Sequence, residues 1–109
     1  MNIVNLTPHE IKLIVKKSFG SVTHTIPTSG TIARVNQSID YIKDGPGDIP
    51  LYKSTFGQVE NLPDEVEGTL LIVSSIVKSA MPDRKDLVVP VNFVRDVDGK
   101  IIGAGGLSF

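Results

Sequence analysis

The segment TLLIVSSIVKSAMPDRKDLVVPVNFVRDVDGKIIGAGGL, residues 69–107, decides the fold class. After Thr69, residues 70–73 are all apolar, as expected of a strand that is buried on both faces. Ser74 is a suitable N-cap for a helix of about two turns over residues 75–81, which Pro82 would end. Because so short a helix is unstable alone in water, we expect it to pack against a sheet.

The rest of this segment predicts a β-hairpin. Residues 87–97 have strand character on either side of Pro90, which interrupts the run. The pair Asp98-Gly99 fits a two-residue type I′ turn, in which both residues adopt positive φ. The glycines of residues 103–106 would let the chain bend before its last residues.

The upstream part of the chain alternates short strand-like runs with turns about every ten residues. Strand character is found at residues 2–6, 10–15, 21–26, 31–36, 38–43 and 49–56. A chain of 109 residues is expected to form one domain, here residues 1–109. The pattern predicts a mostly β fold, a small Greek-key-like β-barrel or sandwich with one short helix packed against it.

The composition excludes several classes of function. A net charge of −1 disfavours duplex nucleic acid as a partner, because duplex binding needs many phosphate contacts from Lys and Arg. The absence of cysteine excludes disulfides, thiolate nucleophiles and Cys-ligated zinc. The N-terminal residues lack the features of a signal peptide, and no apolar run approaches the roughly 20 residues of a membrane span. We therefore expect a cytoplasmic protein without a membrane partner.

The two histidines, His9 and His24, are the side chains that titrate near neutral pH when unperturbed. A metal-free phosphodiesterase needs two imidazoles facing one phosphate, and these two would meet if their strands paired. The His-x-Thr pattern of such enzymes is missing at both positions, which favours ordinary structural or surface histidines. A calcium loop starting at Asp96 is excluded, because Ile101 stands where that loop requires glycine.

Two serines and two arginines have the chemistry to bind an anion. Ser74 and Ser75 lack the glycines of a nucleophile elbow, so an N-cap is favoured, although free N–H groups at a helix start also bind anions. Arg84 would follow the helix and Arg95 would lie in the hairpin. Guanidinium groups suit phosphate, and salt bridges to neighbouring aspartates are an equal alternative.

Two motifs resemble a known family. The opening NLTPHEI, residues 5–11, and a C-terminal pattern of LIVS, PDRxDLVVP, VRD and GKIIG are similar to small phage, prophage and bacterial proteins, most of unassigned function. The match spans both ends of the chain, about half its length. The resemblance implies a phage or prophage protein and carries no reaction or catalytic residues. Other small phage proteins sequester nucleotide-derived immune signals of the host, an analogy in size and character.

These observations predict a non-enzymatic phage or prophage protein that sequesters a phosphorylated nucleotide-derived signal in the host cytoplasm, counteracting host immunity without metal or cofactor. The predicted ligand-binding residues are Thr7, His9, Ser74, Ser75, Arg84 and Arg95. Two alternatives are a protein-interaction module, either a virion accessory or a host-takeover factor, and a small two-histidine phosphodiesterase. Because so small a domain has little concave surface, we expect a homo-oligomer with its ligand site between subunits.

Overall fold

The computed structural model describes residues 1–109. Strands make up 56% of the chain and helical turns 8%, which confirms the predicted mostly β fold with one short helix. The strands are β1 (Asn2–Asn5), β2 (Ile11–Lys17), β3 (Gly20–Ile26), β4 (Arg34–Asp44), β5 (Pro50–Glu60), β6 (Thr69–Ile72), β7 (Leu87–Arg95) and β8 (Ile101–Ser108). Helix α1 spans Ser75–Ala80 and a 3₁₀ turn spans Pro46–Asp48. Neither has the length and apolar character that crossing a membrane requires.

Six strands form one sheet in the order β1-β6-β7-β8-β2-β3, which curls into a half-barrel. The pairs β1/β6, β6/β7 and β2/β8 are parallel, whereas β7/β8 and β2/β3 are antiparallel. The barrel is therefore open, and its two edges are β1 and β3. The strand order brings β2 and β8, from opposite ends of the chain, into the middle of the sheet.

The side chain of Asn5 joins the two edges of the half-barrel. Its amide nitrogen donates to the carbonyl oxygen of Ile26, the last residue of β3, at 3.2 Å, and to that of His9 at 2.8 Å. Its amide oxygen accepts from the backbone N–H of Thr7 at 2.9 Å and from the Thr7 hydroxyl at 2.6 Å. Asn5 is 1% exposed. One buried amide thus fixes the edge strands and the corner between β1 and β2.

The hydrophobic core lies between α1 and the parallel strands. Its buried members are Leu6, Ala33, Leu71, Val73, Val77 and Leu87. Helix α1 contributes Val77, and the Ser74 hydroxyl accepts from the Val77 N–H at 3.3 Å, so the predicted N-cap is confirmed. Only 12 of the 109 residues are buried, which is a small core for a chain of this length.

Strands β4 and β5 form a separate two-stranded antiparallel ribbon. The sequence predicts two strands, residues 31–36 and 38–43, where the structure has the single strand β4. The registers of β4 and β5 shift near Asn36 and Ile42, and such bulges interrupt the alternation of side chains by which a strand is recognised. The folded molecule is elongated, with a longest dimension of 58 Å. A strand of 11 residues is roughly 36 Å long, so the ribbon explains this elongation.

The turn between β7 and β8 differs from the predicted type I′ turn. Gly99 has φ +81°, but Asp98 is not among the residues with positive φ. The Asp96 carboxylate accepts from the backbone N–H groups of Asp98 at 2.9 Å and Lys100 at 3.0 Å. The Gly99 N–H also donates to the Asp96 carbonyl oxygen at 3.0 Å. The hydrogen bonds of the Asp96 side chain therefore stabilise a longer turn, in which Gly99 occupies the last position.

Pro90 and the glycines of residues 103–106 lie inside strands, where the sequence predicts an interruption and a bend. Pro90 pairs with Leu107 within the β7/β8 ladder. A Cβ on Gly103 would lie 2.9 Å from both the Ile14 side chain and the Lys12 carbonyl oxygen. Glycine is needed there for the close approach of β8 to β2, not for a bend.

We predict that Asn5→Ala lowers the free energy of unfolding by about 2–4 kcal/mol, because the buried carbonyl groups of Ile26 and His9 lose their donor. Urea unfolding followed by far-UV circular dichroism measures the change. Asn2→Ala, in an exposed position of the same strand, is the matched control and should change stability little. Equal stability of the two variants would show that the Asn5 amide does not hold the edges together.

Candidate functional site

The six predicted ligand residues lie in three separate parts of the structure. The corner holding Thr7 and His9 follows β1, and Ser74 follows β6. Because β1 and β6 are parallel and Asn5 pairs with Ile72, these residues share one end of the sheet. Arg84 lies between α1 and β7, beyond the opposite end of the helix. Arg95 is the last residue of β7.

The hydroxyl groups of Thr7 and Ser74 are engaged within the protein. The Thr7 hydroxyl lies 2.6 Å from the Asn5 amide oxygen and 3.0 Å from the His9 carbonyl oxygen. The Ser74 hydroxyl caps α1. The imidazole of His9 is exposed, and Ser75 lines a groove of about 270 Å³ beside Phe56. Structural roles therefore account for Thr7 and Ser74, and ligand binding by these residues stays a prediction.

The guanidinium of Arg84 is bound to Asp86 in a two-pronged ion pair. Its Nε–Oδ1 distance is 2.9 Å and its Nη2–Oδ2 distance is 2.7 Å, and Nη2 also donates to the Pro63 carbonyl oxygen at 2.9 Å. The hydrogen bonds from Arg84 lower the pKa of the Asp86 carboxyl, and those same bonds raise the pKa of Arg84. Binding phosphate would require Arg84 to leave this buried partner.

Arg95 is exposed and forms no salt bridge. Its Nη1 donates to the Gly99 carbonyl oxygen at 2.8 Å, within the β7–β8 turn. The nine residues of β7 separate it from Arg84 by roughly 25–30 Å. The two arginines of one chain therefore cannot grip the same phosphate group.

A groove that the sequence does not indicate lies on the half-barrel between β7, β8 and β2. It has a volume of about 420 Å³, and its lining includes Lys12, Lys100 and Phe93. Gly103 and Ala104 also line it, and the ring of Phe93 is 55% exposed. Residues 10–12 and 90–104 meet only because β2 pairs with β8, so no local signal in the sequence could have identified the site.

The charges at this groove favour an anion. Lys12 and Lys100 contribute two ammonium groups, and Glu10 contributes the one carboxylate of the lining. The Glu10 carboxylate lies 3.9 Å from Lys12 Nζ, and both side chains are about half exposed. So loose a pair contributes little energy, and a phosphate could displace it. Two of the predicted residues adjoin this groove: His9 precedes Glu10, and Arg95 pairs with Ile101.

The two histidines lie in different elements. His24 pairs with Leu13 across β2 and β3, whereas His9 lies in the corner that precedes β2. Both imidazoles are exposed. No group of three His, Cys, Asp or Glu side chains is close enough to hold a metal ion. A two-histidine phosphodiesterase thus gains no support from the arrangement within one chain.

We predict that Asp86→Asn lowers the free energy of unfolding at pH 7 by about 3 kcal/mol, because Arg84 loses its charged partner. A lowered pKa stabilises the folded state above the ordinary carboxyl value of 3.8. This stabilisation is lost as the pH falls through the lowered pKa, so the difference between wild type and variant should shrink in acid.

Urea unfolding at neutral and acidic pH measures both effects. Asp83→Asn is the matched control, because Asp83 is exposed and forms no salt bridge, and it should leave stability nearly unchanged. If both variants unfold alike at neutral pH, the Arg84–Asp86 pair does not stabilise the fold.

Comparison with known proteins does not inform the function of this chain, so the surfaces described above are the basis for assigning one. Their geometry distinguishes polar groups that the fold already uses, such as Asn5 and Arg84, from groups that face solvent, such as Lys12 and Lys100. The family resemblance of the two terminal motifs stays a prediction. No protein-family model, curated protein or solved structure matches this chain.

Proposed function

We propose that this protein is a non-enzymatic binding protein that sequesters a phosphorylated, nucleotide-derived ligand in the groove between β7, β8 and β2. The observation that carries the proposal is the placement of two lysine ammonium groups around an apolar groove with an exposed aromatic ring. Its volume of about 420 Å³ lies within the range of small-molecule sites, about 300–1,000 Å³.

Each part of the groove matches one part of such a ligand. Lys12 and Lys100 attract phosphate groups as point charges. Phe93 offers a face on which a base can stack, a contact that contributes about 1–3 kcal/mol per base. Ile101 and Ile102 add apolar lining beside this ring. The groove thus separates a charged region from a stacking surface, as binding a nucleotide requires.

Retention without cleavage is supported by the chemistry of the lining. The ten residues include no serine, threonine, histidine or tyrosine, and Glu10 is the one side chain that could act as a general base. The lining thus contains no histidine, the side chain that most often transfers protons in phosphodiester hydrolysis. The resemblance of the terminal motifs to phage proteins suggests that the ligand is an immune signal of the bacterial host.

A second candidate function is a protein-interaction module, and a specific observation favours it. The ribbon of β4 and β5 exposes several large apolar side chains on its surface, including Ile39, Tyr41 and Tyr52. Such contiguous apolar surface marks an interaction site more often than chance exposure. Co-purification of one defined host or phage protein would support this alternative.

We predict that isothermal titration of the protein against cyclic oligonucleotides and ADP-ribose derivatives detects binding of at least one of them. The double variant Lys12→Gln/Lys100→Gln should weaken that binding about 10–100-fold, because two charged contacts are lost. Phe93→Ala should weaken it about 5–100-fold through loss of stacking. Binding should also weaken with added salt, since the lysines are exposed.

The matched control is Lys16→Gln/Lys17→Gln, which removes the same charge from the far end of β2 and should leave affinity unchanged. If the titration detects no heat of binding with any of these ligands, the proposal is wrong. If binding is retained in both groove variants but lost in Arg95→Gln, the ligand binds at the β7–β8 turn and not in the groove. If mass spectrometry detects cleaved ligand after incubation, the protein is an enzyme and the sequestration proposal is wrong.

A further inference from the structure

The chain exposes far more surface than a folded monomer of its size. Its accessible surface is 7743 Å², whereas a monomeric protein of 11.7 kDa exposes roughly 5,900 Å². The radius of gyration is 17.6 Å, against roughly 13 Å for a compact domain of this length. The excess of roughly 1,800 Å² per chain exceeds the 800 Å² or so that each partner buries in a standard interface.

The excess surface includes an apolar face of the β4–β5 ribbon. The pairs Gln37–Phe56, Ile39–Ser54 and Tyr41–Tyr52 alternate along the ladder with Ser38–Thr55 and Asp40–Lys53. Since alternate pairs point to opposite sides, the ribbon has a front face and a back face. The front face consists of Gln37, Ile39, Tyr41, Tyr52, Ser54 and Phe56, and the back face of Ser38, Asp40, Lys53 and Thr55.

The front face is apolar and solvent-exposed. Ile39, Tyr41, Tyr52 and Phe56 are each more than half exposed. The rings of Tyr41 and Tyr52 meet edge to face with centroids 5.9 Å apart, and the Tyr41 hydroxyl donates to Asp44 at 3.0 Å. These contacts order the rings before any partner arrives, so little conformational entropy is lost on binding.

A ribbon of this kind needs a covering surface. An isolated two-stranded hairpin is marginally stable in water, because each strand has a neighbour on one side only and the apolar face stays hydrated. Within β4 and β5, only Val35 and Val59 are shielded from solvent, at the base where they pack against the core. The outer part of the ribbon therefore has no other element packed against its front face.

The front face continues into a groove beside α1. Phe56 lines this groove together with Ser75, Ile76, Ser79 and Ala80, and Ile76 is itself 52% exposed. Its volume of about 270 Å³ is below the range typical of small-molecule sites, about 300–1,000 Å³. The groove is better suited to receive an apolar side chain. The same chain thus carries a protruding apolar ribbon and a recess next to it.

We propose that the front face and the α1 groove are the interface with a second copy of this chain. The strands of the ribbon carry three basic residues and three acidic ones, so no net charge on them opposes the pairing of two copies. In a two-fold arrangement each ribbon lies against the front face of the other, and an aromatic side chain of each enters the α1 groove of its partner. The excess surface of both chains together is in the range of permanent dimers.

A matched pair of variants tests the interface. Ser54 and Thr55 are adjacent, exposed and polar, but Ser54 lies on the front face and Thr55 on the back. We expect Ser54→Glu to raise the dissociation constant of the dimer at least about 100-fold, because a charge is placed against apolar surface. Thr55→Glu introduces the same charge and should leave the dimer intact.

Light scattering coupled to size-exclusion chromatography measures the mass, which should be twice the 11.7 kDa of one chain for wild type and Thr55→Glu. Far-UV circular dichroism verifies that Ser54→Glu remains folded. A monomeric wild type, or equal dissociation of both variants, would overturn the proposal. A larger assembly that only Ser54→Glu dissolves would support the same surface. The outcome is independent of ligand binding, because the ligand groove contains no ribbon residue.

Discussion

The amide of Asn5 is the interaction on which the half-barrel depends. It is buried at the end of β1, and its four hydrogen bonds reach the end of β3 and the corner formed by residues 7–9. A buried amide without partners would cost several kcal/mol, so these positions are tied to one another. The sheet needs such a connection because β1 and β3 are its edges and do not pair.

This connection changes how polar residues in the chain should be interpreted. The opening motif is rich in polar groups of the kind that bind ligands, yet Asn5 and Thr7 satisfy one another and nearby carbonyl groups. Arg84 is likewise occupied by Asp86 and the Pro63 carbonyl oxygen. Polar groups that already form hydrogen bonds or ion pairs within the fold have little capacity to bind a ligand. The groups that remain available are those facing solvent, and Lys12 and Lys100 meet that condition beside an exposed ring.

The two surfaces that we propose for binding have one physical origin, which is the small core. With 12 residues buried, the chain cannot cover all of its apolar side chains itself. The half-barrel leaves the ring of Phe93 in an open groove, and the ribbon leaves its whole front face in water. A ligand in the groove and a second copy on the ribbon would each remove apolar surface from solvent. The two surfaces share no residue, so the proposed self-association and the proposed ligand binding would be independent of each other.

The sequence by itself determined the features that depend on neighbouring residues. These are the mostly β class, the buried strand that begins at Thr69, the Ser74 N-cap and the end of the helix before Pro82. Only the tertiary structure decided the strand order, the merging of β4 across its bulges, the Asp96-centred turn and the choice of Asp86 as partner of Arg84. Periodicity and capping act over a few residues, whereas the pairing of Leu13 with Ala104 depends on the free energy of the whole fold.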